Sequence, residues 1–445
     1  MATATFRGML DYFVHLNMSS AMSLMCRSAC RTAFRPRLGS HRKVVQRRTL
    51  YRGNSAYLSH RPYRVPGMTV ESFPACFVRG GTSNRLLIHR RDLPKRTEEW
   101  QPILASAMGS PDQYGRQLDG MGSGVSSTSK VCIVEKSSRP GADLDYTFVQ
   151  VGIKDGSLDM AGNCGNMSSA VAPFGLSDGL LHNIYVTREG DESDRDVNVR
   201  FFNTNTNKLI VSSFNVPKDG VYDPFGDYSI DGVPGTGSRI TMSFRDPAGS
   251  KTGKALPTGN PIDTLELPDG TSIEASLTDV ANPGVFVRAA DIGIPGDIKP
   301  AALEEQADIM IRLEQIRRAG AKMIGLDPDI QSIPKIIIVS APDEAAQDES
   351  THIICRARSM QQPHKAVPLT LALNLGASVR MPGTIPAMTA VNTDGLQSVT
   401  IAHASGRLEV GSVLEDGNIK SALLHRTARI LMKGDVFYTA KSEEL

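Results

Sequence analysis

Short runs of alternating or continuous apolar residues, separated by turn residues, recur along the chain and predict many β-strands. In the first half these runs fall at Ser72–Val78, Val131–Glu135, Asp145–Ile153, Ile184–Arg188, Asp196–Phe202, Lys208–Phe214 and Arg239–Phe244. Two segments have a helical pattern instead: Glu98–Met108, and a short apolar stretch from Met167 to Leu176 that stops before Gly179. The first half is therefore predicted to contain many strands, the helix at Glu98–Met108, and one short apolar helix that begins at Met167.

The second half repeats this organisation. Its predicted strands are Thr271–Leu277, Val285–Ala289, Lys335–Ser340, His352–Arg358 and a meander through Thr400, Leu408, Leu423 and Ile430. Pro300–Ala319 is an amphipathic helix by its spacing, and Lys365–Ala377 is a second short apolar helix that Pro368 should start or kink. No exact repeat is present, so the duplication rests on pattern alone. We predict an α+β protein of two similar domains, with the functional site in the cleft between them.

Length and charge divide the chain into three parts. Its 445 residues are too many for one compact core, and we expect a basic extension at 1–67, a domain at 68–250 and a domain at 251–445. The first 70 residues hold eleven arginines, one lysine and a single acid, whereas the rest holds 37 basic and 46 acidic residues. An acidic body argues against a nucleic-acid partner. No run approaches the roughly 20 apolar residues of a membrane helix.

The arginine-rich, acid-poor extension has the composition of a mitochondrial transit peptide. Two alternatives stay open: translation from Met68 with a cytoplasmic product, or a retained basic tail. The six cysteines include no C-x-x-C pair and the histidines are scattered, so no metal site is expected.

Cys164 is the strongest candidate for chemistry. It lies between Gly162-Asn163 and Gly165-Asn166, directly before the first apolar helix. Unpaired N–H groups and the helix dipole favour a thiolate at such a position, and glycines let a substrate approach the backbone closely. A buried, inert thiol beside an ordinary turn is the alternative.

Two further motifs surround cationic side chains. Lys130 follows a Gly/Ser/Thr loop that contains Gly122 and could enclose its side chain. A desolvated lysine has a lowered pKa and can act as a general base. The alternative is an exposed lysine, which is the commoner case. The loop has neither P-loop nor dinucleotide-binding spacing, so a nucleotide cofactor is not expected. Arg79, beside Gly80-Gly81, could clamp a carboxylate or be a solvated charge. His364, before the second helix, could bind a ligand or cap the helix.

Together these stretches resemble the PrpF family of methylaconitate and aconitate isomerases, whose fold is that of diaminopimelate epimerase. The resemblance runs from about Phe73 to Tyr438. It is carried by Arg79-Gly-Gly-Thr-Ser83, Gly109-Ser-Pro-Asp112, Gln117-Leu-Asp-Gly-Met-Gly122, Ser127-Thr-Ser-Lys-Val131, Gly162-Asn-Cys-Gly-Asn166, Leu256-Pro-Thr-Gly-Asn260, Met360…His364…Ala366, Ser405-Gly406 and Arg426-Thr-Ala-Arg429. One departure is Asn84-Arg85, where the family usually has Lys-Gly; the glycine-rich loop and Pro368 also differ.

The resemblance implies an isomerase that acts without a cofactor on a small unsaturated tricarboxylate such as aconitate or methylaconitate. It would move the C=C bond by allylic proton transfer, or interconvert cis and trans forms. Lys130 would be the favoured base and Cys164 the opposing acid/base or orienting group, with the reverse assignment open. The implied carboxylate-binding residues are Arg79, Thr82, Ser83, Gly122, Asn163, Gly165 and Asn260.

Three alternatives remain open. The protein could be an oxalomesaconate-type tautomerase, or a silent small-acid-binding protein of the same fold. A two-thiol epimerase would need a second cysteine at the second helix, but Cys355 falls in a predicted strand.

Overall fold

The computed structural model describes residues 67–181, 185–186, 194–217, 220–342 and 350–441. The extension at 1–66 lies outside the described residues, so the prediction of a transit peptide stays a prediction. The strand predicted at Ile184–Arg188 is described only over Tyr185–Val186.

Strands dominate the described chain. They are β1 Met68–Gly80, β2 Ser83–His89, β3 Lys130–Lys136, β4 Leu144–Val151, β5 Leu158–Asp159, β6 Tyr185–Val186, β7 Asp194–Asn203, β8 Lys208–Pro217, β9 Ile240–Arg245, β10 Asp263–Glu266, β11 Ser272–Val280, β12 Asn282–Arg288, β13 Lys335–Ser340, β14 Ile353–Ser359, β15 Gln362–Pro363, β16 Ser398–His403, β17 Gly406–Glu415, β18 Asn418–Arg426 and β19 Ala428–Lys441.

Helices are fewer. They are α1 Trp100–Met108, α2 Gly165–Ser177, α3 Ala289–Ile292, α4 Pro300–Glu304, α5 Ala307–Met323, α6 Leu369–Val379 and α7 Ile385–Thr389, with short 3-10 turns at Arg90–Asp92 and Thr97–Glu99. In the described residues, no helix is long and apolar enough to cross a membrane.

The predicted helix at Pro300–Ala319 is two helices, α4 and α5, because Gln306 leaves the helical conformation. In one continuous helix, Leu303 and Ile316 would point about 140° apart. The break lets both side chains reach the same apolar cluster.

Strand pairing demonstrates the duplication that the pattern suggested. From β1 through β2, β3, β4, β7 and β8 to β9, successive neighbours pair antiparallel, parallel, antiparallel, parallel, antiparallel and antiparallel. From β11 through β12, β13, β14, β16 and β17 to β18, the same order of pairings recurs. The α+β prediction with two similar halves is confirmed.

The two halves are joined by strands rather than by a loop alone. β9 pairs antiparallel with β18, and β19 pairs with the whole of β1. The last strand therefore lies in the sheet of the first half, although the predicted boundary at residue 250 assigned it to the second domain. That boundary itself stays a prediction.

The two short apolar helices occupy the core, as the sequence predicts. Every residue of α6 is buried, as is almost all of α2, because strands surround both helices. Their N-termini meet: a Cβ added to Gly165 would lie 2.3 Å from Cδ2 of Leu369, the first residue of α6. This contact brings the loops before both helices to one place in the molecule.

Candidate active site

Cys164 lies where the sequence predicts, at the N-cap of α2. Its backbone carbonyl accepts the N–H groups of Met167 (2.9 Å) and Ser168 (3.1 Å), so the first helical hydrogen bonds begin at this residue. The thiol is partly buried and forms no disulfide. Against the effect of burial, the backbone N–H of Met167 in the first turn of α2 also acts on the sulfur and helps to lower the pKa of the thiol.

Lys130, the first residue of β3, is the nearest amine to this sulfur. Its Nζ lies 3.5 Å from Sγ of Cys164 and 5.8 Å from the ring centre of Phe148. Lys130 is buried, in agreement with the enclosed setting expected from the preceding Ser/Thr loop. The structure thus brings together the two residues to which the sequence assigns the chemistry.

Arg85 is a second cation at the sulfur, and sequence reasoning missed it as a site residue. It lies on β2 with no exposed surface, and its Nη1 donates to Sγ of Cys164 at 3.4 Å. Its Nε and Nη2 have no hydrogen-bond partner among the described residues. The sequence does show that Arg85 departs from the family pattern. Because arginine is rarely buried, that departure suggests an altered residue near the substrate cleft and not a cation in contact with the sulfur.

These charges shift the titration of the pair. Burial alone would raise the pKa of the Cys164 thiol, but the positive charges of Lys130 and Arg85 outweigh it and lower the pKa to about 6. Burial lowers the pKa of Lys130, and the nearby sulfur opposes part of that effect. At neutral pH the sulfur therefore favours its thiolate form.

A small cavity opens at this pair and contains a third cation, Lys335. Among the described residues, those that line the cavity include lysines and a histidine but no Asp or Glu: Lys130, Phe148, Gln150, Gly162, Asn163, Cys164, Gly165, Asn166, Ser332, Lys335, Ser359, Met360, His364, Pro368, Leu369 and Thr370. Burial, followed by repulsion from Lys130, lowers the pKa of Lys335 to about 8. An anionic ligand is the natural occupant of such a lining.

Sequence reasoning also missed Lys335, although the duplication contains a signal for it. Lys335 begins β13 as Lys130 begins β3, and each of these strands pairs parallel with the strand before it. Its ammonium group donates to the backbone carbonyl of Ser332. The two lysines therefore occupy equivalent positions in the two halves and face one cavity.

A buried amide, Asn282, fixes the loop that carries Cys164. Its Oδ1 accepts the N–H of Asn163 at 3.1 Å, and its Nδ2 donates to the Asn163 carbonyl at 2.8 Å. The same Nδ2 donates to the Thr370 hydroxyl at 3.0 Å. Asn282 thus connects the turn before α2 to the first turn of α6.

Among the predicted carboxylate-binding residues, Asn163 and Gly165 line the cavity, but Arg79, Thr82 and Ser83 line a separate depression. Nη1 of Arg79 donates to the backbone carbonyls of Gly81 (3.1 Å) and Thr427 (3.0 Å).

The glycines of this motif allow close packing. A Cβ on Gly81, whose φ is +54°, would lie 2.2 Å from Oδ1 of Asn166. Nδ2 of Asn166 donates a hydrogen bond to Oγ1 of Thr82 at 3.1 Å. Since Asn166 lines the cavity, the motif at Arg79 packs against a residue of the cavity wall.

Gly122 and Asn260 also lie outside the cavity lining. The N–H of Gly122 donates to the Met108 carbonyl at 3.2 Å, and a Cβ there would lie 2.3 Å from Oε1 of Gln117. Asn260 is exposed, and its amide donates to Asp263 at 2.9 Å. In this structure Gly122 packs against Gln117 and Asn260 forms part of a turn, and a role for either residue in binding carboxylates stays a prediction.

His364 faces the cavity, and its Nδ1 accepts the Ala366 N–H at 3.0 Å. Burial, followed by the charge of Lys130, lowers its pKa to about 3, so the ring is neutral at neutral pH. Among the described residues, no group of three His, Cys, Asp or Glu side chains is placed to hold a metal ion.

Comparison with known sequences identifies the family. The pattern of the family described as PrpF protein matches residues 70–439. The chain belongs to the PrpF family. Among its relatives, the 2-methyl-aconitate isomerase of Cupriavidus necator is 34% identical over 81% of this chain and 96% of its own length. The prediction of an isomerase of this family is confirmed at that level.

Solved structures confirm the fold. A methylitaconate-delta-isomerase has a TM-score of 0.65 and 35% identity, covering 83% of this chain and 96% of its own. A hydroxyproline epimerase from Agrobacterium vitis has a TM-score of 0.50 at 13% identity, covering 84% and 94%, which shows the epimerase-like fold alone.

The second helix argues against a two-thiol epimerase. Pro368 occupies the N-cap of α6, the position equivalent to Cys164 at α2. Cys355 lies inside β14, as the sequence predicts, and burial raises its pKa to about 12. In the described chain, Cys164 is the cysteine whose pKa is lowered.

Proposed function

We propose that this PrpF family member moves a C=C bond in a small unsaturated tricarboxylate such as aconitate or methylaconitate, with no cofactor taking part. The observation that carries the proposal is the 3.5 Å contact between Nζ of Lys130 and Sγ of Cys164 at the wall of the cavity. One group of such a pair can remove an allylic proton while the other returns a proton at a second carbon.

The lining supports a polyanionic substrate. Two carboxylates of a tricarboxylate would contact Lys335 and the N–H groups at the start of α2, where the helix dipole favours negative charge. Charge that develops on the dienolate would be stabilised by the same cations. The names of the two reported relatives refer to 2-methylaconitate, a tricarboxylate, and to methylitaconate, a dicarboxylate, and both names support a small unsaturated acid with several carboxylates.

Proton NMR in D₂O tests this proposal. The full chain is incubated separately with cis-aconitate and 2-methyl-cis-aconitate, beside Lys130→Ala and Cys164→Ala. We expect a new isomer that carries deuterium, and its loss in both variants. Matched controls are Lys136→Ala, an exposed lysine at the far end of the same strand, and Cys355→Ala, a buried thiol in β14.

The alternatives are outcomes of the same experiment. Isomerisation without deuterium incorporation would refute proton exchange with solvent during the reaction. Absence of both turnover and exchange with either acid would refute aconitate and methylaconitate as substrates and would favour an oxalomesaconate-type substrate or a silent binding protein.

A further inference from the structure

Arg85 poses an electrostatic problem that the proposed proton transfer does not address. It is fully buried, it contacts Cys164 through Nη1, and its Nε and Nη2 lack partners in the described part of the chain. A buried guanidinium without a counter-charge costs several kcal/mol. Since arginine stays protonated in proteins, the required compensation is a nearby anion.

The groups that face the sulfur leave one candidate for that anion. The guanidinium of Arg85 and the amines of Lys130 and Lys335 cannot carry negative charge, and the His364 ring is neutral at neutral pH because burial lowers its pKa to about 3. Burial raises the pKa of the Cys132 thiol and of the Tyr146 hydroxyl, so both are uncharged.

Among the described residues, no carboxylate forms an ion pair with Arg85, and the carboxylate whose charge acts on Lys335 in the cavity is Asp159. Asp159 accepts the backbone N–H and the hydroxyl of Ser332, and it does not line the cavity. The sulfur of Cys164, 3.4 Å from Nη1, is therefore the group placed to balance the guanidinium.

We propose that Arg85 holds Cys164 as a thiolate in the free protein, so that Cys164 removes the proton from the substrate and Lys130 returns one. The part about the substrate rests on the proposed isomerase function. Arg85 acts through the sulfur and is a positioning residue. This assignment is the reverse of the one that the family resemblance favours, because a second cation contacts the sulfur and the sequence alone does not predict that contact.

The steps balance in protons and charge. The thiolate takes a proton from the allylic carbon, which gives a thiol and a dienolate. The Lys130 ammonium gives a proton to the other end of the allylic system, which gives an amine and the shifted double bond. The thiol proton then passes over 3.5 Å to the amine, directly or through solvent, and restores the starting pair.

Titration of the thiolate by ultraviolet absorbance tests the charge assignment without any substrate. The difference between the full-length chain and its Cys164→Ser variant isolates this sulfur. We expect a midpoint at about pH 6. In Arg85→Met the midpoint should rise by at least about one pH unit, whereas Arg85→Lys should recover part of that rise.

A matched control separates charge from folding. Arg356 is also buried, but it donates to the backbone carbonyls of Ile298, Cys355 and Asp297 rather than to a thiol. Arg356→Met should leave the midpoint of Cys164 unchanged, and circular dichroism checks that each variant is folded. A wild-type midpoint near the ordinary value of about 8.5 would overturn the proposal. An unchanged midpoint in folded Arg85→Met would overturn the role of Arg85.

The pH profile of kcat/KM tests the role of the base. Activity should rise with pH through about 6, and the rise should move upward with the thiolate midpoint in Arg85→Met. A rise that does not follow the midpoint would refute Cys164 as the base. If the thiolate titrates as expected but no acid is converted, the proposed function and the proton-transfer role fail while the charge assignment stands.

Discussion

Removal of the Asn282 amide is the sharpest test of how the active-site loop is held. Asn282→Ala deletes three hydrogen bonds, of 3.1, 2.8 and 3.0 Å, and leaves the Asn163 N–H and carbonyl without these partners in the core. At about 0.5–1.5 kcal/mol for each bond, the expected loss of unfolding free energy is about 2–4 kcal/mol. Because Asn163 directly precedes Cys164, kcat should also fall, by up to about 100-fold if the sulfur moves by an ångström.

Denaturant unfolding followed by circular dichroism measures the first quantity, and steady-state kinetics measures the second. The matched control is Asn260→Ala, because this exposed asparagine makes its hydrogen bonds within its own turn and should cost less than about 1 kcal/mol. Equal m-values are required for the comparison. If Asn282→Ala costs no more than Asn260→Ala, the loop is not held as the structure indicates.

Two further variants test the cavity and its packing. Lys335→Met removes a cation from the cavity and should raise KM for a tricarboxylate about 10- to 100-fold, with a smaller effect on kcat. The control is Lys322→Met, because Lys322 is exposed on α5. An unchanged KM in Lys335→Met would exclude Lys335 from substrate binding. Gly165→Ala places a Cβ 2.3 Å from Leu369 and should cost about 1–3 kcal/mol in denaturant unfolding, less than additively with Leu369→Ala. The control is Gly434→Ala, which should be nearly neutral because an added Cβ meets no atom within 4 Å. If the costs of Gly165→Ala and Leu369→Ala add in the double variant, there is no direct clash between the two residues.

The sequence predicts the fold well because local pattern determines most of it. Alternation and turn residues locate the strands, and the two apolar stretches that became α2 and α6 stand out because neither contains a charged residue. The pairing of β1 with β19 was not predictable, since strand partners distant in sequence are set by tertiary packing rather than by local pattern.

The candidate site was predicted in part for a related reason. The sequence motifs around Cys164 and Lys130 predict where each residue lies. Cys164 is at the start of a helix, and Lys130 is where a polar loop enters a strand. Lys335 reaches the cavity, and Arg85 reaches the sulfur of Cys164, from strands whose patterns indicate only burial. A glycine-rich motif such as that at Arg79 indicates close backbone packing, but the sequence does not show whether a ligand or a helix lies against it.

The position of β19 has a consequence for how the chain acquires its structure during translation. All of β1 pairs with β19, which is synthesised after every other strand of the described residues. Until then, β1 has one unpaired edge, which can bind other nascent chains. The first half cannot complete its sheet while the second half is still being synthesised, so the two halves finish folding together. A gene divided near residue 250 would therefore yield a first fragment that lacks β19, the partner of β1.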